Sequence, residues 1–151
     1  MNLTVKPFSA LTTNELFIIA KGRVDVFVVE QACAYPELDE VDCHSATRHV
    51  YWLTQQEQLG AYARCYVKNE QYSAIGRVLI NESQRGSGFA KKLVKQAIAV
   101  CVEQWPSKDV YIGAQTYLLD FYRGFGFTAI AQPYLEDGIE HQDMILKNPS
   151  A

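Results

Sequence analysis

A β-type run, a glycine-containing loop and an amphipathic helix follow one another without interruption, and this succession constrains the chain more than any other feature. Ala90, Leu93, Val94, Ala97, Ile98, Cys101 and Val102 recur at i, i+3, i+4, i+7 and i+8, which predicts a helix from Gly88 that ends before Pro106. Ahead of it stand the loop Gln84-Arg85-Gly86-Ser87-Gly88 and the apolar run from Tyr72 to Ile80. Glycines in such a loop permit backbone angles closed to other residues and remove side chains that would hold an anion away from the amides. The helix adds its unpaired first amides and the positive end of its dipole. An anion seat follows from the main chain alone, with Arg85, Lys91, Lys92 and Lys95 adding positive charge beside it. Two other phosphate loops are excluded. The pattern G-x-x-x-x-G-K-[ST] is absent. The dinucleotide fingerprint fails because Gly86-Ser87-Gly88 is followed by Phe89, Ala90 and Lys91, with no acidic residue at a second strand end.

The 151 residues, 48% of them hydrophobic, suffice for one compact domain spanning 1–151 whose core needs neither disulfides nor a structural metal. A formal charge of -3 speaks against nucleic acid or a membrane surface as partner, since such binders displace counterions with a basic face. Cys33, Cys43, Cys65 and Cys101 form no C-x-x-C pair, so reduced, mostly buried thiols are expected. Cys33, Asp39, Asp42, Cys43, His44 and His49 are all ligand types, but their spacing matches no metal-binding pattern and no metal is expected. The start of the chain lacks the marks of a secretory signal, and no apolar stretch approaches the ~20 residues of a spanning helix. A cytoplasmic location is expected.

Elsewhere, Thr12-Thr13-Asn14-Glu15 reads as a capping box that opens a helix from Thr13 to Val28. Periodicity is then lost from Glu30 to Thr47, a long acidic loop. His49 to Thr54, Leu59 to Val67 and Tyr72 to Ile80 read as an antiparallel meander joined by short polar links. After the long helix come a strand from Asp109 to Gly113, a helix from Thr116 to Gly124, a strand from Phe125 to Ala131 and a last strand from Ile139 to Leu146. The order gives a mixed α/β (α+β) fold, a mostly antiparallel central sheet flanked by helices.

Arg85-x-x-Gly88-x-Ala90, between strand and helix, resembles the R/Q-x-x-G-x-G/A signature of the GCN5-related N-acetyltransferases. Tyr117-Leu118-Leu119-Asp120-Phe121-Tyr122-Arg123-Gly124-Phe125-Gly126-Phe127 resembles the C-terminal F-Y-x-x-x-G-F element of that family. Arg23 to Gln31, Arg48-His49, Gly113-Ala114-Gln115 and Glu136 to Ile139 are similar to its bacterial ElaA-type subgroup, so that the likeness runs from Leu11 to Leu146. The resemblance implies the acyl-CoA N-acyltransferase fold and acetyl-CoA as acyl donor. It implies donor contacts from Val78, Leu79 and Ile80, and from Arg85, Gly86, Ser87, Gly88, Phe89, Ala90 and Lys91. Gln115 stands where many members place an asparagine against the cofactor, and Tyr122 stands where the family places the acid that protonates the departing thiolate.

Acetyl transfer to an amine also requires a proton acceptor and an oxyanion donor. Glu30, His49, Glu136 and His141 are the candidates for the first, with Glu136 preferred for its position beyond the strand that follows Tyr122. A main-chain amide near Ile80 is the candidate for the second. Arg23, Glu30 and His49 are candidate contacts to the acceptor, a small-molecule or peptide amine; Arg23 pairing with a nearby acid and a structural role for His49 stay open. Glu37, Asp39, Glu40 and Asp42, with Glu136, Asp137 and Glu140, are expected as a solvated acidic surface or a negative mouth for a cationic amine. The leading function is an acetyl-CoA-dependent N-acetyltransferase acting by direct attack in a ternary complex. The alternative is a non-catalytic acyl-CoA-binding or regulatory module. Exposed strand edges leave monomer and homodimer both open.

Overall fold

The computed structural model describes residues 1–150. Its elements are β1 (Thr4–Lys6), α1 (Thr13–Val24), α2 (Glu40–Cys43), β2 (Arg48–Leu53), β3 (Leu59–Val67), β4 (Tyr72–Ile80), α3 (Phe89–Gln104), β5 (Asp109–Gln115), α4 (Leu119–Arg123), β6 (Thr128–Ala129), β7 (Tyr134–Glu136) and β8 (Ile139–Leu146). The strands form one sheet in the order β1-β2-β3-β4-β5-β8-β6, with β7 also paired to β8. β4 and β5 are parallel, joined across the back of the sheet by α3, while the other pairs are antiparallel. The structure is a mixed sheet of eight strands flanked by helices, the architecture expected from the sequence.

Each face of the sheet has its own core. Leu93, Val94, Ala97, Val100 and Cys101 of α3 are buried against Val50, Ala61, Ala63, Ile75, Val110 and Ile112. Fully burying a Leu or Val is worth about 1.5–3 kcal/mol, so this face fixes α3 without a side-chain cap. On the other face Ile18, Ile19, Val26 and Phe27 pack on Tyr51, Leu59, Tyr62 and Leu79. Gly22 lets α1 approach β3 closely, because a Cβ there would lie 2.5 Å from that of Leu59.

The capping box forms as read, with Thr12 Oγ1 accepting from the Glu15 amide and Glu15 from the Thr12 amide. Glu15 also accepts from the Tyr51 hydroxyl at 2.5 Å and from Lys6 at 3.2 Å. The Thr12 amide first, then Tyr51, hold its carboxyl down at about 2 against an ordinary 4.5. A depressed carboxylate pKa stabilises the fold fully above pH 4.5, and that contribution is lost as pH falls through about 2. Glu15→Gln is therefore expected to be less stable than wild type at pH 7, and the gap to close on approaching pH 2. Thermal melts at stepped pH check this.

Some boundaries differ from expectation. The first helix does not end at Val28 but continues through Asp25–Glu30 as a π-helical turn. The acidic segment holds the one-turn helix α2. β5 extends to Gln115, and the expected strand from Phe125 to Ala131 shrinks to Thr128–Ala129. Phe127 is instead buried in the core, and Gly126 turns the chain at φ 102°. β1 and β7 are additional strands.

The acidic segment is neither a solvated surface nor a mouth at Glu37 and Asp42, both of which are buried. Arg23, only 1% exposed, binds Glu37 at 2.8 Å and Asp42 at 2.6 Å. Arg64 joins Asp42 and Asp39, and Arg77 joins Glu37. This ion network ties the segment between α1 and β2 to the front of the sheet.

Candidate functional site

β4 and β5 are in register only from Tyr72–Ala74 against Asp109–Tyr111. Beyond that point they splay, and β4 from Ile75 to Ile80 keeps an edge without a strand partner on the β5 side. Such an edge presents main-chain donors and acceptors to an extended ligand. On its other side β4 carries a bulge. Tyr62 pairs with Leu79 but Arg64 pairs with Gly76, so Arg77 and Val78 together oppose the single residue Ala63. Arg77 takes the left-handed conformation, φ 52°, and is clamped there by Glu37 at 2.9 Å.

β4 leads through a short turn into Arg85–Gly88. Gly86 and Gly88 have φ of 84° and 75°, the left-handed region that side chains disfavour. Among the described residues, the amides of Gly86, Ser87 and Gly88 donate to no protein acceptor, and no side chain caps α3. These amides and the first amides of α3 form a concave set of free donors at a positive helix end. The Arg85 guanidinium does not point at an anion here. It donates to the Ile80 carbonyl at 3.0 Å and to Glu30 at 2.9 Å.

A cavity of about 370 Å³ opens where the strands splay. Its walls are Ile75 to Val78 of β4, Tyr111 to Gln115 of β5, and Tyr122 from α4. The far wall comes from Phe27 and Gln31 at the end of the first helix and from Glu136 and His141 of the last hairpin. Tyr122 is 4% exposed and packs edge-on against Phe121 and Phe127. Among the described residues its hydroxyl has no hydrogen-bond partner, and burial raises its pKa well above the ordinary tyrosine value. Near neutral pH the phenol therefore keeps its proton. Across the cavity His141 donates from Nδ1 to the Ile139 carbonyl at 2.8 Å, which leaves Nε2 facing Glu136 at 3.7 Å. A second hollow, about 420 Å³, lies between the N-terminal residues and Lys92, Lys95 and Gln96 on α3. It meets none of Tyr122, Gln115 and Glu136, so its size does not make it the site.

Of the candidate site residues, Val78, Gln115, Tyr122 and Glu136 line the cavity, and Arg85 to Lys91 form the loop at one end of the splay. Leu79 is 4% exposed and belongs to the core under α1. The three expected acceptor contacts do not reach the cavity. Arg23 is consumed by its two acids. Glu30 is bound to Arg85. His49 is 1% exposed, donates from Nε2 to the Asp42 carbonyl at 2.9 Å and accepts the Tyr62 hydroxyl at Nδ1 at 2.6 Å. Burial lowers its pKa, so it stays neutral as a structural histidine. Sequence reasoning missed Arg77, Tyr111, Tyr134 and Asp143, which shape the front of the cavity. Only alternation in β5 and β8 could have placed Tyr111 and Asp143 on one face. Among the described residues no three His, Cys, Asp or Glu side chains gather as a metal site, and no helix is long and apolar enough to cross a membrane.

The family model for the acetyltransferase (GNAT) domain matches residues 20–148. Protein ElaA of Escherichia coli K12 is 37% identical over 139 residues, covering 90% of each chain. A UPF0039 protein of Synechocystis is 41% identical over 151 residues, 99% of this chain and 97% of the relative. The crystal structure of Escherichia coli ElaA superposes with a TM-score of 0.91 at 35% identity, over 97% of this chain and 100% of the other. An acyl-CoA N-acyltransferase from Pseudomonas aeruginosa superposes with a TM-score of 0.89 at 35% identity, over 96% and 99%.

Proposed function

Because the chain belongs to the GNAT acetyltransferase family, whose members draw on acyl-CoA donors, we propose that it moves an acetyl group from acetyl-CoA to a primary amine. The observation that carries this reading is the opposition, across one cavity, of an unpartnered protonated Tyr122 and the Glu136–His141 pair. The residues at the donor side fit acetyl-CoA. The free amides of Gly86 to Gly88 and the α3 terminus suit a pyrophosphate, and the unpaired β4 edge suits the amides of the pantetheine arm.

The amine attacks the thioester carbonyl directly. A C–N bond forms and the C–S bond breaks. Glu136 or His141 accepts the surplus proton of the amine, and the Tyr122 hydroxyl gives its proton to the departing thiolate. The oxyanion is assigned to the amide of Val78, at the β4 bulge and on the cavity wall, rather than to one near Ile80. Its geometry is fixed by Arg77, locked by Glu37. The acceptor is a small molecule or peptide amine. Free cysteines suit work in the reducing cytoplasm.

The donor seat has its own test. Gly88→Val forces a β-branched residue into the left-handed region at a cost of about 1–2 kcal/mol. It is expected to weaken acetyl-CoA by roughly tenfold. Arg85→Ala is expected to weaken it less, since that guanidinium is already engaged by Ile80 and Glu30. Calorimetric titration of both variants decides; the reverse ranking assigns the phosphates to the Arg85 side chain.

A further inference from the structure

We infer that the acceptor is an amine carrying an anionic group, a carboxylate, at its far end, and that Lys68 is the residue that selects for it. This inference rests on the acetyltransferase reading above. The cavity is polarised along its length. At one end His141 Nε2 and Glu136 Oε2 face each other at 3.7 Å, and the His141 Nδ1 hydrogen is already committed to the Ile139 carbonyl. Two facing acceptors suit an ammonium, which has hydrogens for both.

The middle is flat and aromatic. Gly113 forms its floor, where a Cβ would come within 3.0 Å of the Tyr134 hydroxyl and 3.4 Å of the Tyr111 hydroxyl. Both hydroxyls donate to Asp143 Oδ1, at 2.7 Å from Tyr111 and 2.8 Å from Tyr134, which fixes the rings and engages the carboxylate. Tyr134 in turn stacks on His141 with centroids 6.0 Å apart. A side chain at residue 113 would therefore press on both hydroxyls.

At the other end lies Lys68. Two cations line the cavity, and Arg77 is held by Glu37 at 2.9 Å. Lys68 Nζ rests 4.2 Å from the centre of the Tyr111 ring and, among the described residues, has no carboxylate within 4.0 Å. Among the described lining residues Lys68 is therefore the cation without a carboxylate partner, and Glu136 and Asp137 carry the negative charge. Along β5, Tyr111 and the His141 partner Gln115 are four residues apart, so the poles are separated by roughly 13 Å less the reach of the side chains. A diamine long enough to span the cavity would set its second ammonium against Lys68.

The test uses three six-carbon ligands: 6-aminohexanoate, hexylamine and 1,6-diaminohexane, titrated calorimetrically into protein saturated with CoA. The aminocarboxylate is expected to bind at least about tenfold tighter than hexylamine, with the diamine weakest, and Lys68→Glu to reverse the order of aminocarboxylate and diamine. Tighter binding of the diamine to wild type, or an order that Lys68→Glu leaves unchanged, overturns the inference. Turnover with acetyl-CoA separates it from the reading beneath. Acetylation of all three without a charge preference overturns the acceptor class alone. The predicted binding order without acetylation of any of them supports the acceptor site and overturns the catalytic reading.

Discussion

Tyr122→Phe is expected to lower kcat by roughly 100-fold or more while the Kd for acetyl-CoA stays within about twofold of wild type. A positioned proton donor contributes about 10²–10⁴ in rate, and the Tyr122 phenol is a cavity-wall group that burial keeps protonated and that no protein acceptor engages among the described residues. The substitution keeps the ring, so the edge-on contacts with Phe121 and Phe127 survive and the core does not open. Stopped-flow turnover and equilibrium binding of the same preparation check it. A non-catalytic acyl-CoA module would show no turnover to lose and an unchanged Kd, because no thiolate departs for its hydroxyl to protonate. The variant thus discriminates between the two readings of this chain.

Arg23→Met is expected to cost about 3–5 kcal/mol of stability, the penalty for stranding buried carboxylates. Arg23 is 1% exposed and supplies both Glu37 and Asp42. Arg77 still reaches Glu37 and Arg64 still reaches Asp42, which places the loss toward the lower end of that range. Denaturant unfolding measures it. Glu37 also locks Arg77 at the β4 bulge, so a folded fraction of the variant is expected to lose kcat as well. The buried ion network and the conformation of the β4 bulge are coupled here through one carboxylate.

The half of the molecule around the glycine loop was legible in the sequence because its determinants are local. The glycine loop and α3 follow from adjacent residues, and β3, β4 and β8 match the expected bounds Leu59 to Val67, Tyr72 to Ile80 and Ile139 to Leu146. Three-residue strands such as β1 and β7 have too few side chains to show alternation. The apolar run from Phe125 to Ala131 looked like a strand because the burial of Phe127 around a turn gives the same composition.

The ion network was illegible for a different reason. Glu37 finds Arg23 at a separation of 14 residues and Arg77 at a separation of 40, and nothing in the composition of an acidic segment says that its charges turn inward. The same applies to the acceptor side. His49, Glu30 and Arg23 were plausible by type, but their partners Tyr62, Arg85 and Asp42 come from other elements. Glu136 lines the cavity, whereas the positions of its neighbour Tyr134 and of the Asp143 clamp arise from cross-strand register.

Acetyl transfer to an amine in this cavity would release one free thiol for every amide formed. It is tested most directly by following free thiol and N-acetyl product together, with acetyl-CoA and a panel of primary amines. Amine-dependent thiol release is expected, matched one to one by amide product and lost in Tyr122→Phe. Tight acetyl-CoA binding with no amine-dependent release across the panel would contradict it.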